Sequence, residues 1–294
     1  MEYIPAKTII SSYGENNSWF GFNYTMNIYK GCCHGCIYCD SRSECYHVDN
    51  FDTVRAKENA IGIISRELKS KRKAGIVGTG AMSDPYNDFE KELMLTRQAL
   101  ELILENRFGI SITTKSSLIA RDIDILLKIK VFAPVLCMIT ITAHDDILCG
   151  KIESNVSVSS ERFATIKKLS GAGIFTGVLL MPVLPFITDT EENILGVVRS
   201  AKENGASFVY PAFGVTLRTN QRDHFYQRLD KFFSGIKQKY IERFHNDYSC
   251  ESPNAQKLYR LFANECERLG LLYKMPDIIK AYKSGYESNQ LSMF

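Results

Sequence analysis

Asn27-Ile28-Tyr29-Lys30-Gly31-Cys32-Cys33-His34-Gly35-Cys36-Ile37-Tyr38-Cys39-Asp40 follows a run over residues 22–29 that alternates enough to be a strand. The loop therefore stands at the C-terminal end of a strand. Cys32, Cys36 and Cys39 have the spacing C-x3-C-x2-C. Three thiolates so spaced suit three irons of a cubane cluster and leave the fourth iron open. Two other readings compete with it. Cys32, Cys33, His34, Cys36, Cys39, Cys45 and His47 also offer enough ligands for zinc, and a zinc-stabilised nucleic-acid-binding protein without catalysis follows from that. Zinc fingers, however, usually set two ligand pairs around a longer spacer. The third reading is a chance grouping of buried, inert cysteines.

Outward from the loop, strand and helix patterns alternate. Strands are expected over 22–29, 75–80, 108–114, 135–142, 173–181 and 206–211. Helices are expected over 53–73, 92–106, 121–130, 160–169 and 191–203, with Ser159 as the N-cap of the fourth. Such alternation implies parallel βαβ units. Short connections suit either a barrel or a doubly wound sheet. The fold expected is α/β, a partial (β/α)6 TIM-like barrel of parallel strands. Residues 1–212 would form the core with its N-terminal lead-in. Residues 213–294 would form a helical extension packed on it, with helices over 221–244 and 254–269 and no further strong strand. In parallel barrels the site lies at the C-terminal mouth of the strands, where the cysteine loop falls.

Composition narrows the class. The 294 residues carry a net charge of only +3, too little to argue for nucleic acid by itself. The N-terminus has no signal-peptide pattern, and the most apolar stretch, 177–187, is short and broken by Pro182 and Pro185. A cytoplasmic protein without membrane contact is expected. Nine cysteines, an odd number, with four of them inside the loop, argue against a disulfide framework in a reducing compartment.

The loop, with an aromatic before its last cysteine, resembles the signature of the radical S-adenosylmethionine (radical SAM) superfamily. The wider string N-x-Y-x-G-C-x-H-G-C-x-Y-C is similar to its spore photoproduct lyase-like branch. Ser83-Asp84-Pro85-Tyr86, Thr114-Lys115-Ser116, Arg121-Asp122-Ile123, Thr140-Ile141-Thr142, Met181-Pro182-Val183-Leu184-Pro185 and the ending Gln290-Leu291-Ser292-Met293-Phe294 agree with that branch, in order. The resemblance implies a [4Fe–4S] cluster on Cys32, Cys36 and Cys39, with S-adenosylmethionine at the open iron. It implies that Ser83 and Asp84 meet the methionine amino group, Lys115 its carboxylate, and Thr140 the ribose or carboxylate. Tyr38 would pack against the adenine. Read without the family, these are a turn, a solvated lysine, a strand former and a core aromatic. An electron donor of flavodoxin or ferredoxin type is implied as partner.

Two departures bear on the substrate. The lyase carries a hydrogen-donating cysteine two residues before the Ser-Asp pair, and Ala81 stands there. It carries an aromatic after the last cluster cysteine, and Asp40 stands there. Both put thymine-dimer repair in doubt. Tyr86, Cys137 and Cys149 are the substitute donors to consider, and no role is assigned to Cys33 or Cys45. Nucleic acid remains one substrate class, on the basic and aromatic residues Arg218, Arg222, Arg228, Lys231, Lys237, Lys239 and Arg243 with Phe225, Tyr226, Phe232, Phe233 and Tyr240. The competing account is an amphipathic helix with its aromatic face packed on the barrel.

Overall fold

Short runs rich in Ile, Val and Thr, buried on both faces, pair side by side, as parallel strands require. In the computed structural model, which describes residues 1–13 and 19–286, six such strands lie parallel. They are β1 (Tyr24–Met26), β2 (Ile76–Thr79), β3 (Gly109–Thr114), β4 (Val135–Thr140), β5 (Phe175–Leu180) and β6 (Phe208–Pro211). Their order in the sheet is their order in the chain. A doubly wound sheet reverses direction at a switch point; here every crossover steps the same way, which is the winding of a barrel. Ile10–Ser12 runs antiparallel on the outer edge of β1, so the barrel is partial. The ending 290–294 lies outside the described residues.

The crossovers carry α1 (Ala60–Ser70), α2 (Leu95–Glu105), α3 (Ile123–Lys130), α4 (Ser159–Gly171) and α5 (Glu191–Glu203). Alternation along β4 separates the two sides of the sheet. Val135, Cys137 and Ile139 join the core beneath the helices, while Leu136 and Met138 point into the barrel. The barrel floor is aromatic: Phe20, Phe175, Phe208 and Tyr282 fill it. A Cβ on Gly177 of β5 would lie 2.3 Å from the Phe208 ring, so only glycine lets that ring cross. A last helix, α9 (Met275–Lys283), seals the floor, its Tyr282 hydroxyl donating to the Phe20 carbonyl at 2.5 Å.

Beyond β6 the chain makes a small excursion. Gly214–Thr216 pairs antiparallel with Ser249–Glu251, and α6 (Gln221–Phe232) and α7 (Ile236–Phe244) lie between them. Next, α8 (Ala255–Leu269) packs on α5, and Leu272 bridges alongside Phe208 of β6. Several expected boundaries shift, each for a local reason. The helix expected over 53–73 begins only at Ala60, because Arg55–Lys57 is drawn into a strand between Glu2–Ile4 and Tyr29–Lys30. The helix expected over 92–106 breaks at Met94, which takes a left-handed φ of 50°. The helix expected over 221–244 breaks at Gly235, with φ 77°. Ser159 is the first helical residue rather than the N-cap. Its hydroxyl donates to the Ala143 carbonyl at 2.6 Å, and the Glu161 carboxylate accepts from the Val158 N–H at 3.2 Å. No helix among the described residues is long and apolar enough to cross a membrane.

Candidate active site at the barrel mouth

Two left-handed glycines shape the cysteine loop. Gly31 has φ 80°, and a Cβ there would lie 2.4 Å from the Thr53 carbonyl oxygen. Gly35 has φ 69°, and its Cβ would meet Ser154 Oγ at 2.6 Å. The chain between them is pinned by backbone bonds. The Cys32 N–H donates to Phe51 O at 2.8 Å, Ile37 N–H to Ile152 O at 3.0 Å, and Asn155 N–H to His34 O at 3.1 Å. Cys36 pairs with Glu153 as an isolated antiparallel bridge.

Cys32 and Cys36 are buried and Cys39 is half-buried. Burial, and then the Asp84 carboxylate, push the Cys32 thiol up to about 12. Burial also holds Cys36 well above the ordinary thiol range, with Glu153, Cys39 and Cys32 adding to it, and raises Cys39. The thiols are near enough to oppose one another's ionisation. Buried thiolates need a compensating positive charge, which a metal cluster supplies on binding. Among the described residues, no three His, Cys, Asp or Glu side chains converge enough to hold a single metal ion. In a cubane each thiolate binds its own iron, so the sulfurs stand around a cluster rather than a point.

Ser83 and Asp84, in the loop that follows β2, turn toward the cysteine loop. The Ser83 hydroxyl donates to the Gly31 carbonyl at 2.5 Å. Asp84 Oδ1 accepts from Thr114 Oγ1 at 2.7 Å and from the Tyr86 N–H at 2.9 Å, and Oδ2 from the Lys115 N–H at 2.8 Å. His34 Nδ1 lies 3.5 Å from Asp84 Oδ2. These two residues tie the loop to β2 and β3. Burial outweighs Asp84 and holds His34 below its ordinary pKa.

Lys115, just past β3, sends its ammonium over the Tyr38 ring at 5.6 Å from the centroid. Burial opposes its charge, but Cys36 and Glu153 outweigh burial and hold its pKa up. Thr140 ends β4 in register with inward-facing Leu136 and Met138. The Tyr38 hydroxyl is committed to the wall, donating to Glu153 Oε1, with Thr142 Oγ1 at 3.3 Å.

Behind the loop lies a cluster that motif reading missed. Arg162 and Glu153 are 0% and 1% exposed. Arg162 Nη1 reaches Glu153 Oε2 at 2.5 Å and the Thr140 carbonyl at 2.9 Å, and Nε donates to Ser157 O at 2.7 Å. Arg162 Nη2 is buried with no hydrogen-bond partner among the described residues. Its signal was present in the sequence: Arg162 shares the buried face of α4 with Ile166 and Leu169, where an aliphatic residue belongs. On the other side, Gln221 of α6 donates to the carbonyls of Tyr38 at 2.9 Å and Thr216 at 2.6 Å. Asp40 is occupied by Tyr46 OH at 2.9 Å, Thr216 Oγ1 at 3.2 Å and Arg218 Nε at 3.2 Å.

The substitute hydrogen donors do not come together at the mouth. Cys137 points from β4 into the helix-side core, opposite in register to Thr140. Tyr86 is buried there too, its hydroxyl donating to Asp122 Oδ2 at 3.1 Å. Cys149 is buried behind the loop, 3.7 Å from Glu153 Oε2. Ala81 is exposed, Cys33 is half-buried, and exposed Cys45 lies 3.3 Å from Arg218 Nη1.

The family model for the radical SAM superfamily matches residues 26–198, more than half of the chain. The chain belongs to the radical SAM superfamily. It is an enzyme, and its cofactors are those of the superfamily, a [4Fe–4S] cluster and S-adenosylmethionine. An uncharacterised protein of Mycobacterium tuberculosis H37Rv is 29% identical over 233 residues, covering 76% of this chain and 67% of the relative. An uncharacterised protein of Methanocaldococcus jannaschii is 32% identical over 174 residues, covering 58% and 64%. Spore photoproduct lyase complexed with dinucleoside spore photoproduct shares the fold, with TM-score 0.66 over 92% of this chain and 80% of that one, at 14% identity. The radical SAM methyltransferase TsrM of Kitasatospora setae follows with TM-score 0.54, over 83% and 51%, at 10% identity. The residues of this radical SAM enzyme fit its cofactors: three thiols share one loop, and two buried or half-buried cations, Lys115 and Arg162 through Nη2, present N–H groups that no described acceptor takes up.

Proposed function

We propose that Cys32, Cys36 and Cys39 hold the three protein-bound irons of the cluster, and that Lys115 and Thr140 meet S-adenosylmethionine. When bound, cluster and cofactor would supply one-electron reductive cleavage of the sulfonium and, from it, radical hydrogen abstraction at an unactivated carbon of the substrate. The chain's own part is placement. Gly31 and Gly35 let the loop turn tightly enough to gather its thiols. Burial keeps water from them. The Lys115 ammonium offers a point charge for a carboxylate, and charge-assisted bonds of that kind are the strong ones. Ser83 and Asp84 hold the loop through Gly31, Thr114, Tyr86 and Lys115, and the lone pairs they keep would accept from the methionine amino group. An external one-electron donor, of flavodoxin or ferredoxin type, completes the reaction.

The observation that carries this reading is the C-x3-C-x2-C loop at the strand ends beside the Lys115 ammonium, which stands over the Tyr38 ring. Lesion repair of the lyase type is not part of the proposal. Ala81 has no S–H to donate, and Asp40 is locked between Tyr46, Thr216 and Arg218. The basic and aromatic residues past 212 also serve the fold. Phe225 and Tyr240 are fully buried, and Arg222 donates to the carbonyls of Leu217, His245 and Asp247.

The test is anaerobic reconstitution with iron and sulfide, followed by dithionite and S-adenosylmethionine, with 5′-deoxyadenosine as the readout. Its formation by the wild-type chain, and its loss in Cys36→Ala, is the expected result. Uptake of zinc in place of iron overturns the proposal. Damaged DNA and RNA are the first substrates to try.

A further inference from the structure

Resting on the reading that Cys32, Cys36 and Cys39 hold the cluster, we infer that Glu153 and Arg162 are a positioning pair for the cysteine loop whose opposed charges set the cluster's reduction potential. Glu153 touches the loop twice. Its backbone pairs with Cys36, the middle ligand, and its carboxylate accepts from Tyr38, the neighbour of the last one. The residues around it extend the splint, Ile152 accepting from Ile37 and Asn155 bonding to His34 and, through Nδ2 at 3.0 Å, to the Cys33 carbonyl. Arg162 in turn fixes Glu153 and the carbonyls of Thr140 and Ser157.

Two full charges with almost no exposure are an expensive way to fill this gap. Well-packed apolar residues commonly serve stability as well or better than a buried ion pair. The placement points to a use beyond packing. Arg162 and Glu153 lie behind one loop, in a region where water does not screen them, and half-buried Lys115 stands close enough to feel both charges. Reduction adds one negative charge to an iron–sulfur cluster, and the charges around a cluster shift its potential. A buried cation favours the reduced state and a buried carboxylate disfavours it. Glu153 therefore offsets part of the positive charge of Arg162 and Lys115.

The variants are Glu153→Gln, Arg162→Gln and the double variant, each reconstituted anaerobically as the full chain. Iron and sulfide content and the midpoint potential, titrated by electron paramagnetic resonance, are measured. Glu153→Gln shifts the potential positive, Arg162→Gln shifts it negative, and the double variant returns toward wild type. Loss of packing alone does not reverse sign between two neighbours. Should either single variant lose its cluster to an uncompensated buried charge, the double variant decides. Wild-type iron content with a potential near wild type supports the pair; no cluster in the double variant overturns it. Equal shifts in one direction, or none at wild-type iron content, also overturn it. A wild-type chain that takes up no cluster overturns the ligand assignment itself, a result separate from any of these.

Discussion

At the scale of single residues, the site divides into groups that hold the loop and groups left with bonding capacity. Ser83 and Asp84 hold the loop and keep acceptor lone pairs; the Lys115 ammonium keeps its donors. Lys115→Ala is therefore expected to weaken S-adenosylmethionine binding about 10- to 100-fold, the worth of one charge-assisted hydrogen bond. Iron content should stay at the wild-type level. Equilibrium binding to the reconstituted protein checks it, and unchanged affinity removes Lys115 from the site. Ser83→Ala has the opposite signature. The Gly31 carbonyl loses its donor, so iron loading falls before cofactor affinity does, which an iron assay on freshly reconstituted protein would register.

At the scale of elements, the cysteine loop is a tight turn braced from three sides: by 51–53 through Gly31 and Cys32, by 152–155 through the bridge at Cys36, and by α6 through Gln221. Gly31→Ala combines a left-handed backbone with a Cβ 2.4 Å from Thr53 O, while Gly235→Ala puts the same φ into open space. The Gly235 change costs about 1 kcal/mol, the usual left-handed penalty, and leaves iron content unchanged. Gly31→Ala should lower the thermal midpoint further and prevent full cluster loading. Equal iron content in the two variants would show that the turn is not what gathers the thiols.

At the scale of the whole molecule, acid stability links α6 to the loop side of the barrel. Burial, then Arg42 and Arg228, hold His224 down at about 4, and its Nε2 is buried without a described partner. Unfolded, this imidazole takes up its proton near 6.5. Between those values the unfolded chain binds more protons, so the contribution is whole above about 6.5 and is lost as pH falls toward about 4. Glu265, held at about 2 by Arg268 and Arg199, adds a second loss below its ordinary pKa of 4.5. His224→Gln should flatten the decline in thermal midpoint between about pH 6.5 and 4 while leaving the Glu265 contribution in place. An unchanged slope would place the titrating group elsewhere.

How much of this was legible beforehand follows from the range of the interactions. Strand and helix periodicity is local, so β2 to β6 and α5 were readable within a few residues, and the cysteine spacing announced the cluster. Where boundaries failed, a distant partner or a single left-handed residue had intervened, as when Glu2–Ile4 and Tyr29–Lys30 captured Arg55–Lys57, or Met94 broke a helix. Barrel and doubly wound sheet share the same local pattern, and only the order β1 to β6 in space chose between them. Glu153, Arg162 and Gln221 lie far from the cysteine loop in the chain and carry no motif; they join its site because the fold stacks the end of β4, α4 and α6 against that loop. Composition and spacing determine which atoms can bind iron. Which charges surround that iron depends on burial, and burial exists only once the chain is folded.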